Sequence, residues 1–325
     1  MESAEKKELS EAGFTLAELV IVLGVIITIF VMSMGGLSYL WRWQKEAETK
    51  KNLADIQAAL QTVYQSNAWS VDSQNLNTFV FSLNGIQYTL SNGFATDAGN
   101  TTALQAIASN SSLASSTIAA DSMHNPLTVF VSNLLQDSNS GVSYHAVALV
   151  SSGWNGTWES TFDQTTGVLL LNGDDLGVIV SGWQYEVNNL QNTLQKMYIV
   201  RDSYQNYFTQ LYFNDAQKDI YVDRFANQNS SCAQNQAWDS ASGISNSACT
   251  GAQTTTATGL KSALGLSTDA VTTAWGRELL VDNSSAASRN PDTTGQAIPY
   301  TAVINAELPW SPGAFLTVTV TGLYQ

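Results

Sequence analysis

Residues 13–43 read GFTLAELVIVLGVIITIFVMSMGGLSYLWRW. From Leu19 to Trp41 there is no charged residue, a run of 23 dominated by Leu, Ile, Val, Phe and Met. At a helical rise of ~1.5 Å per residue this run covers roughly 34 Å, enough for a hydrocarbon core of ~30 Å. A single helix satisfies its own backbone N–H and C=O groups, which is what a lone segment needs to cross lipid. Glu18 stands at the edge of this run. A carboxylate there is costly in lipid unless it finds a partner, so it marks a functional position.

The combination of Gly13, Phe14 and Glu18 in GFTLAELVIVLGVI resembles the N-terminus of type IV prepilins and of the related type II secretion pseudopilins. The family pattern is a hydrophilic leader, Gly, Phe, and an apolar segment with Glu at its fifth position. The resemblance implies cleavage between Gly13 and Phe14 by a membrane prepilin peptidase, with methylation of the new Phe14 amine. It also implies that Glu18 pairs with the N-terminal amine of a neighbouring subunit during fibre assembly.

Two other readings explain less. A secretory signal peptide wants a positive n-region, an apolar core of about 7–15 residues and a small-residue cleavage site. The stretch Met1–Gly13 carries four Glu and two Lys, and no such site closes the longer apolar run. An ordinary signal anchor leaves Glu18 unexplained.

The 325-residue chain carries 13 basic and 27 acidic residues, and only 12% of it is charged. Removing the leader's two Lys and four Glu leaves 11 basic against 23 acidic residues. No Lys or Arg occurs between Asn52 and Gln195. Such a surface cannot neutralise phosphates, so direct nucleic-acid binding is not expected. The composition suits an extracytoplasmic surface protein.

Past the apolar run, Leu53, Ile56, Leu60 and Val63 recur at intervals of three and four, the stripe of an amphipathic helix. Helix is therefore expected from Phe14 to Gln65, with a bend or a close helix–helix contact at Gly35-Gly36. Beyond it, Thr78–Phe81, Ile86–Leu90, Leu127–Val131 and Val142–Val150 read as strands, and Thr101–Ala108 as a short helix. Val168–Leu171 and Val178–Val180 flank the turn Asn172-Gly173-Asp174-Asp175, the pattern of an antiparallel meander.

The pattern then starts again. Tyr185–Phe213 has helical spacing, and its Leu194–Tyr198 echoes Leu60–Tyr64. Thr273–Val281 is similar to Asp121–Val129, and Pro299–Ile304 to Ser143–Ala148. These matches suggest two related helix-plus-sheet halves, offset by roughly 134–156 residues. The alternative is one large domain with an inserted helix.

The expected fold is α+β: a long N-terminal helix packed on antiparallel sheet, followed by a second helix-plus-sheet unit. The expected divisions are a leader over 1–13, a helix over 14–65 spanning the membrane at 19–41, a first β region over 66–182, and a second region over 183–325. In an extracytoplasmic chain, Cys232 and Cys249 read as one disulfide, and a disulfide-bounded loop is usual in type IV pilins. Two buried free thiols are the other reading.

No G-x-S-x-G, phosphate-binding loop, H-E-x-x-H or paired C-x-x-C occurs, which argues against an enzyme. No cofactor or metal is expected. His124 and His145 are the two imidazoles, and His145 lies in a strand where a packed or surface role is commoner. Asp174 and Asp175 could contribute to a Ca²⁺ site, but two turn acids fall well short of six oxygen ligands. The Trp residues at 154, 158, 183, 238, 275 and 310 could form a sugar-binding surface, although core or subunit contact suits most of them better.

The resemblance therefore implies a pilin-like subunit, stored in the inner membrane with its globular part outside the cytoplasm and then assembled into an extracellular fibre. Its partners would be other pilin subunits, as a homo- or hetero-polymer, the prepilin peptidase, the inner membrane, and a surface or glycan ligand. The alternatives are a fibre-tip or membrane-anchored adhesin and a type II secretion pseudopilin.

Overall fold

The computed structural model describes residues 16–74, 76–114, 116–218, 220, 236–237, 261–262, 264–282, 299 and 301–323. Gly13, Phe14, Cys232, Cys249 and Trp238, all singled out from the sequence, lie outside these residues.

The chain is α+β, with a long first helix and antiparallel sheets. Helix α1 runs over Leu16–Asp72, 57 residues, or roughly 86 Å at the helical rise. Its φ/ψ values stay helical through Gly35-Gly36. The departure from helical φ/ψ comes instead at Asn67 (φ −125°, ψ 16°). There the Asn67 amide donates to the Val63 carbonyl at 3.0 Å, while its Oδ1 accepts from the Ser82 N–H at 2.8 Å. The helix continues past Gln65 because Ala68 and Val71 are buried in the same core as Leu53, Ile56 and Leu60.

Strands β1 (Thr78–Leu83) and β2 (Ile86–Ser91) form a hairpin around Asn84-Gly85. Both turn residues have positive φ (52° and 79°), which the tight two-residue hairpin turn requires and Asn-Gly tolerates. The two-residue strand β3 (Gly93–Phe94) and helix α2 (Ala98–Asn110) follow, then the short helix α3 (Ser116–Ala119). The expected short helix at 101–108 is the centre of α2.

The first four-stranded sheet contains β4 (Thr128–Val131), β7 (Ala146–Ser151) and β10 (Leu176–Ser181), in the order β10-β7-β4-β3. All six residues of β7 are buried, because the strand is covered on both faces: Val147 and Leu149 join the core with α1, while Ala146 and Val150 lie near Leu135, Leu169 and Leu171. Between these strands lie two small hairpins, β5 (Leu135–Gln136) with β6 (Ser143–Tyr144), and β8 (Thr161–Asp163) with β9 (Val168–Leu170). The expected meander across Asn172–Asp175 is therefore corrected: β9 pairs back onto β8, while β10 passes on to pair with β7. Asp175 fixes this crossing by accepting the backbone N–H groups of Glu159 and Ser160 at 2.9 and 2.7 Å.

Helix α4 (Trp183–Asn214) opens the second half. Its sheet comprises β11 (Gln236–Ala237), β12 (Leu280–Asp282), β13 (Thr301–Leu308) and β14 (Ser311–Thr321), in the order β11-β12-β13-β14. Read from the other edge, this is the order of the first sheet, with β14, β13, β12 and β11 standing for β10, β7, β4 and β3.

The correspondence holds residue by residue. On α1 the buried residues Thr49, Leu53, Ile56, Leu60 and Tyr64 match Thr193, Met197, Val200, Tyr204 and Phe208 on α4, all buried and all 144 residues apart. The turn before β4 carries a bridge between Ala120 and Pro126; the turn before β12 carries one between Thr272 and Glu278, 152 residues on. Its hydrogen bonds repeat at the same spacing: Asp121 N to Asn125 O and Leu127 N to Ala119 O become Thr273 N to Arg277 O and Leu279 N to Val271 O. In the sheets, Val129–Leu149–Val178 corresponds to Val281–Ile304–Val318.

The helix register read from the sequence is corrected by this alignment. Leu194–Tyr198 is not the counterpart of Leu60–Tyr64: Tyr64 is buried, whereas Tyr198 is 46% exposed, with the Arg201 guanidinium 4.8 Å from its ring centroid. Each half builds its own core, and the second docks on the first through Trp275, Leu308 and Trp310.

Candidate functional site

Two regions of the fold carry polar or apolar groups that ordinary core packing does not explain. The first is the N-terminal part of α1. From Leu19 to Val31 its large apolar side chains are exposed on every side of the helix, from 49% at Val22 to 66% at Ile21. A helix that is apolar all round is normally buried, and an apolar surface of this extent marks an interaction site. The one-sided pattern begins only at Thr49, where the globular part takes hold. Among the residues whose side chains are described, which leave out 32–36 within the uncharged run, no helix is long and apolar enough to cross a membrane. Glu18 lies in the first turn of α1 with its side chain exposed, where a carboxylate favours the positive end of the helix dipole. Gly24 faces open space, since a Cβ added there would touch nothing within 4 Å.

Where the apolar run ends, loops of the first half close around α1. Ser122 donates to the Lys45 carbonyl and shares a 2.6 Å hydrogen bond with the buried Thr49 hydroxyl. The Trp154 ring meets Trp41 edge-on, with centroids 5.3 Å apart. Arg42 lies 5.7 Å from the Trp154 centroid and 3.6 Å from the Asp174 carboxylate. Asp174 also accepts the Asn155 N–H at 2.9 Å. Both turn acids serve the loops, Asp174 on Arg42 and Asp175 on backbone N–H groups. Among the described residues no group of three or more His, Cys, Asp or Glu could hold a metal ion.

The tryptophans do not share one face. Trp154 packs on α1, Trp158 lies against Phe130 at 5.1 Å, and Trp310 meets Trp275 edge-on at 5.7 Å. Trp183 is 40% exposed at the start of α4.

The second region is a buried polar cluster between the halves, comprising Tyr64 and Asp72 from α1, His145 beside β7, Glu186 from α4, and Trp275. The four ionisable residues have no exposed surface. The Tyr64 hydroxyl donates to Asp72, 2.8 and 2.9 Å from its two oxygens, and accepts the His145 N–H at 2.9 Å. His145 Nε2 lies 3.0 Å from the Leu76 carbonyl, which can only accept, so Nε2 carries a proton. Nδ1 faces Asp72 Oδ1 at 2.9 Å, a contact that therefore holds one further proton. Burial pushes the His145 imidazole down to about 4 and pushes the Asp72 carboxyl up, both of which favour Asp72 over Nδ1 as the holder of that proton. Glu186 accepts the Trp275 indole N–H at 2.6 Å. Burial first, and then the neighbouring Asp72 charge, raise its pKa as well. Burial thus favours the uncharged forms across this hydrogen-bonded cluster.

No protein family, no curated protein and no solved structure matches the chain. The functional reading consequently rests on the residues and their geometry.

Sequence reasoning singled out His145 but not its partners. Tyr64 and Glu186 read as ordinary helix residues, and Asp72 as lying beyond the helix expected to end at Gln65. The available signal was composition: between Asn52 and Gln195 acids occur without a single Lys or Arg, so a buried acid there has no cation near it in sequence.

Proposed function

We propose that this chain is a type IV pilin-like subunit, stored in the inner membrane and assembled into an extracellular fibre through the first half of α1. One observation carries the reading: the apolar sleeve between Leu19 and Val31 is exposed all round and directly follows the Gly13–Phe14–Glu18 pattern. Lipid covers that sleeve before assembly, and neighbouring helices cover it afterwards. The 23-residue uncharged run from Leu19 to Trp41 supplies the membrane span. Gly24 supports the assembled state, because its missing side chain leaves room for a second helix that the chain's own packing does not use.

In this reading prepilin peptidase cuts after Gly13, Phe14 becomes the amine terminus, and Glu18 receives the amine of an adjacent subunit. The globular halves coat the fibre, with Cys232 and Cys249 joined in a disulfide and no catalytic role. N-terminal sequencing of the membrane-resident protein tests the core of the proposal. The expected start is a methylated Phe14; a start beyond Phe30, as a signal peptidase would leave, overturns it. Cys232→Ser should expose one reactive thiol at Cys249. Ready labelling of both cysteines in the unreduced native protein would remove the bridge from the proposal.

A further inference from the structure

The loops that grip α1 do so within about two turns, from Trp41 to Thr49, which begin where the uncharged run stops. Ser122 bonds to Lys45 and Thr49, Trp154 packs on Trp41, and Asp174 pairs with Arg42. These loops are tied to one another as well as to the helix. The Asn125 amide donates to the Gly153 carbonyl at 2.7 Å, and Asp174 accepts from Asn155. Gly153 has φ 66°, and a Cβ there would collide with the Asp174 backbone, so glycine is what lets the two loops meet. The result is a rigid collar presenting three indoles at one height: Trp41 at 53%, Trp43 at 64% and Trp154 at 41% exposure.

We infer that this collar seats the first half of the globular part on the membrane surface, with Trp154 joining Trp41 and Trp43 in the glycerol and carbonyl zone of the outer lipid leaflet. The inference rests on the membrane span proposed above. Indole rings are large and apolar with one polar N–H, the chemistry that prefers this zone to either water or hydrocarbon. Trp154 belongs to the head, not to the span, yet its packing on Trp41 brings it to the same height. Of the four basic residues past the run, three are paired, Arg42 with Asp174, Lys45 with Glu48 and Lys50 with Glu46, and the exposed Lys51 stands ~15 Å along the helix from Trp41. Recognition therefore falls to the aromatic rings and does not require anionic lipid. Before assembly the head lies against the bilayer, and extraction into a fibre has to lift the Trp154 loop out of it.

Quenching of tryptophan emission tests this in the full-length protein reconstituted in phosphatidylcholine vesicles. One set carries bromine near the glycerol end of the acyl chain and another near the chain terminus. The contribution of each ring is the difference between the wild type and Trp154→Phe or Trp41→Phe. The expected result is that shallow bromine quenches the Trp154 and Trp41 contributions alike, that deep bromine quenches both weakly, and that added anionic lipid changes neither. Quenching of Trp41 without Trp154 overturns this inference and leaves the membrane span standing. Failure of bromine at either depth to quench any tryptophan overturns both.

Discussion

Tyr64 and Phe208 occupy the same place in two copies of one structural unit, and each ring fills the space left by a glycine. Gly182 follows β10 and Gly322 follows β14; a Cβ at Gly182 would strike the Tyr64 ring, and one at Gly322 the Phe208 ring. The helices are offset by 144 residues and the strand ends by 140. The matching aromatic–glycine pairs therefore mark a relationship between the halves that pairwise reading of short motifs does not reach. The difference between the rings matters too. Tyr64 carries a hydroxyl into the polar cluster at the junction, whereas its counterpart is a phenylalanine within the second core.

The glycine contacts predict matched losses. Gly182→Ala and Gly322→Ala should each destabilise their own half by roughly 1–3 kcal/mol through overpacking. Pairing Gly322→Ala with Phe208→Leu should recover part of that loss, because the smaller side chain vacates the contested space. Urea denaturation of the four variants measures the coupling. Simple additivity would show that the two residues do not compete for space.

Two buried threonines make the same comparison for polar groups. Thr49 Oγ1 accepts the Ser122 N–H at 3.2 Å, and Thr193 Oγ1 accepts the Ala274 N–H at 3.0 Å. Thr49→Val and Thr193→Val keep the shape and remove the acceptor. Each should cost about 1–3 kcal/mol, the penalty for a backbone donor left unpaired. Hydrogen exchange should show the Ser122 or Ala274 amide losing protection in the corresponding variant; unchanged protection would mean the hydroxyls are incidental.

The junction predicts a pH dependence with a defined sign. Asp72 and Glu186 have pKa values raised by burial, so the stability they contribute is fully present below the ordinary carboxylate pKa of about 4 and is lost as pH rises through their raised values. His145, lowered to about 4, acts in the opposite direction. Its contribution is present above the ordinary imidazole value of about 6.5 and is lost as pH falls toward 4. Two acids oppose one imidazole, so stability should fall with rising pH from about 5 to 8, by roughly 1.4 kcal/mol per pH unit for each uncompensated proton. Glu186→Gln preserves an acceptor for Trp275 without an ionisable proton. It should match the wild type near pH 4.5 and exceed it progressively toward pH 9 in thermal melts. Parallel curves for the two proteins would remove Glu186 from the linkage.

Some of this was legible in the residues and some was not, for physical reasons. The stripe Leu53, Ile56, Leu60 and Val63 announced a helix because four residues of one face repeat at helical spacing. Asp121–Val129 and Thr273–Val281 were matched at their true offset of 152 because a tight turn constrains every residue in it. The helices were matched ten residues out of register. A helix face asks only for apolar character at 3.6-residue spacing, so Leu60–Tyr64 aligns with several stretches of α4. The extension of α1 to Asp72 was hidden because Asn67 interrupts the helical dihedrals while its own side chain replaces the missing backbone bonds. The polar cluster was invisible because its members come from α1, the residue before β7, α4 and the turn at Trp275, up to 211 positions apart between Tyr64 and Trp275, and only the fold brings them together.

The last prediction concerns Glu18, because it separates mechanism from membership in a family. Glu18→Ala removes the carboxylate and keeps helix propensity, so membrane insertion should be intact or improved. Assembly should fail. An incoming Phe14 amine would lose its acceptor inside a nonpolar bundle, where an unpaired charge costs several kcal/mol. The variant should accumulate in the membrane as a correctly cleaved subunit and be strongly depleted from fibres. Glu18→Asp should rescue only in part, since its side chain is one carbon shorter and the helix backbones fix the distance it has to span. Cleavage, read by N-terminal sequencing, and incorporation, read by mass spectrometry of purified fibres, have to be scored separately because a processing defect would imitate an assembly defect. Fully processed Glu18→Ala subunits entering fibres at the wild-type level would show that the carboxylate does not dock the neighbouring amine, and that the exposed sleeve of α1 drives assembly without it.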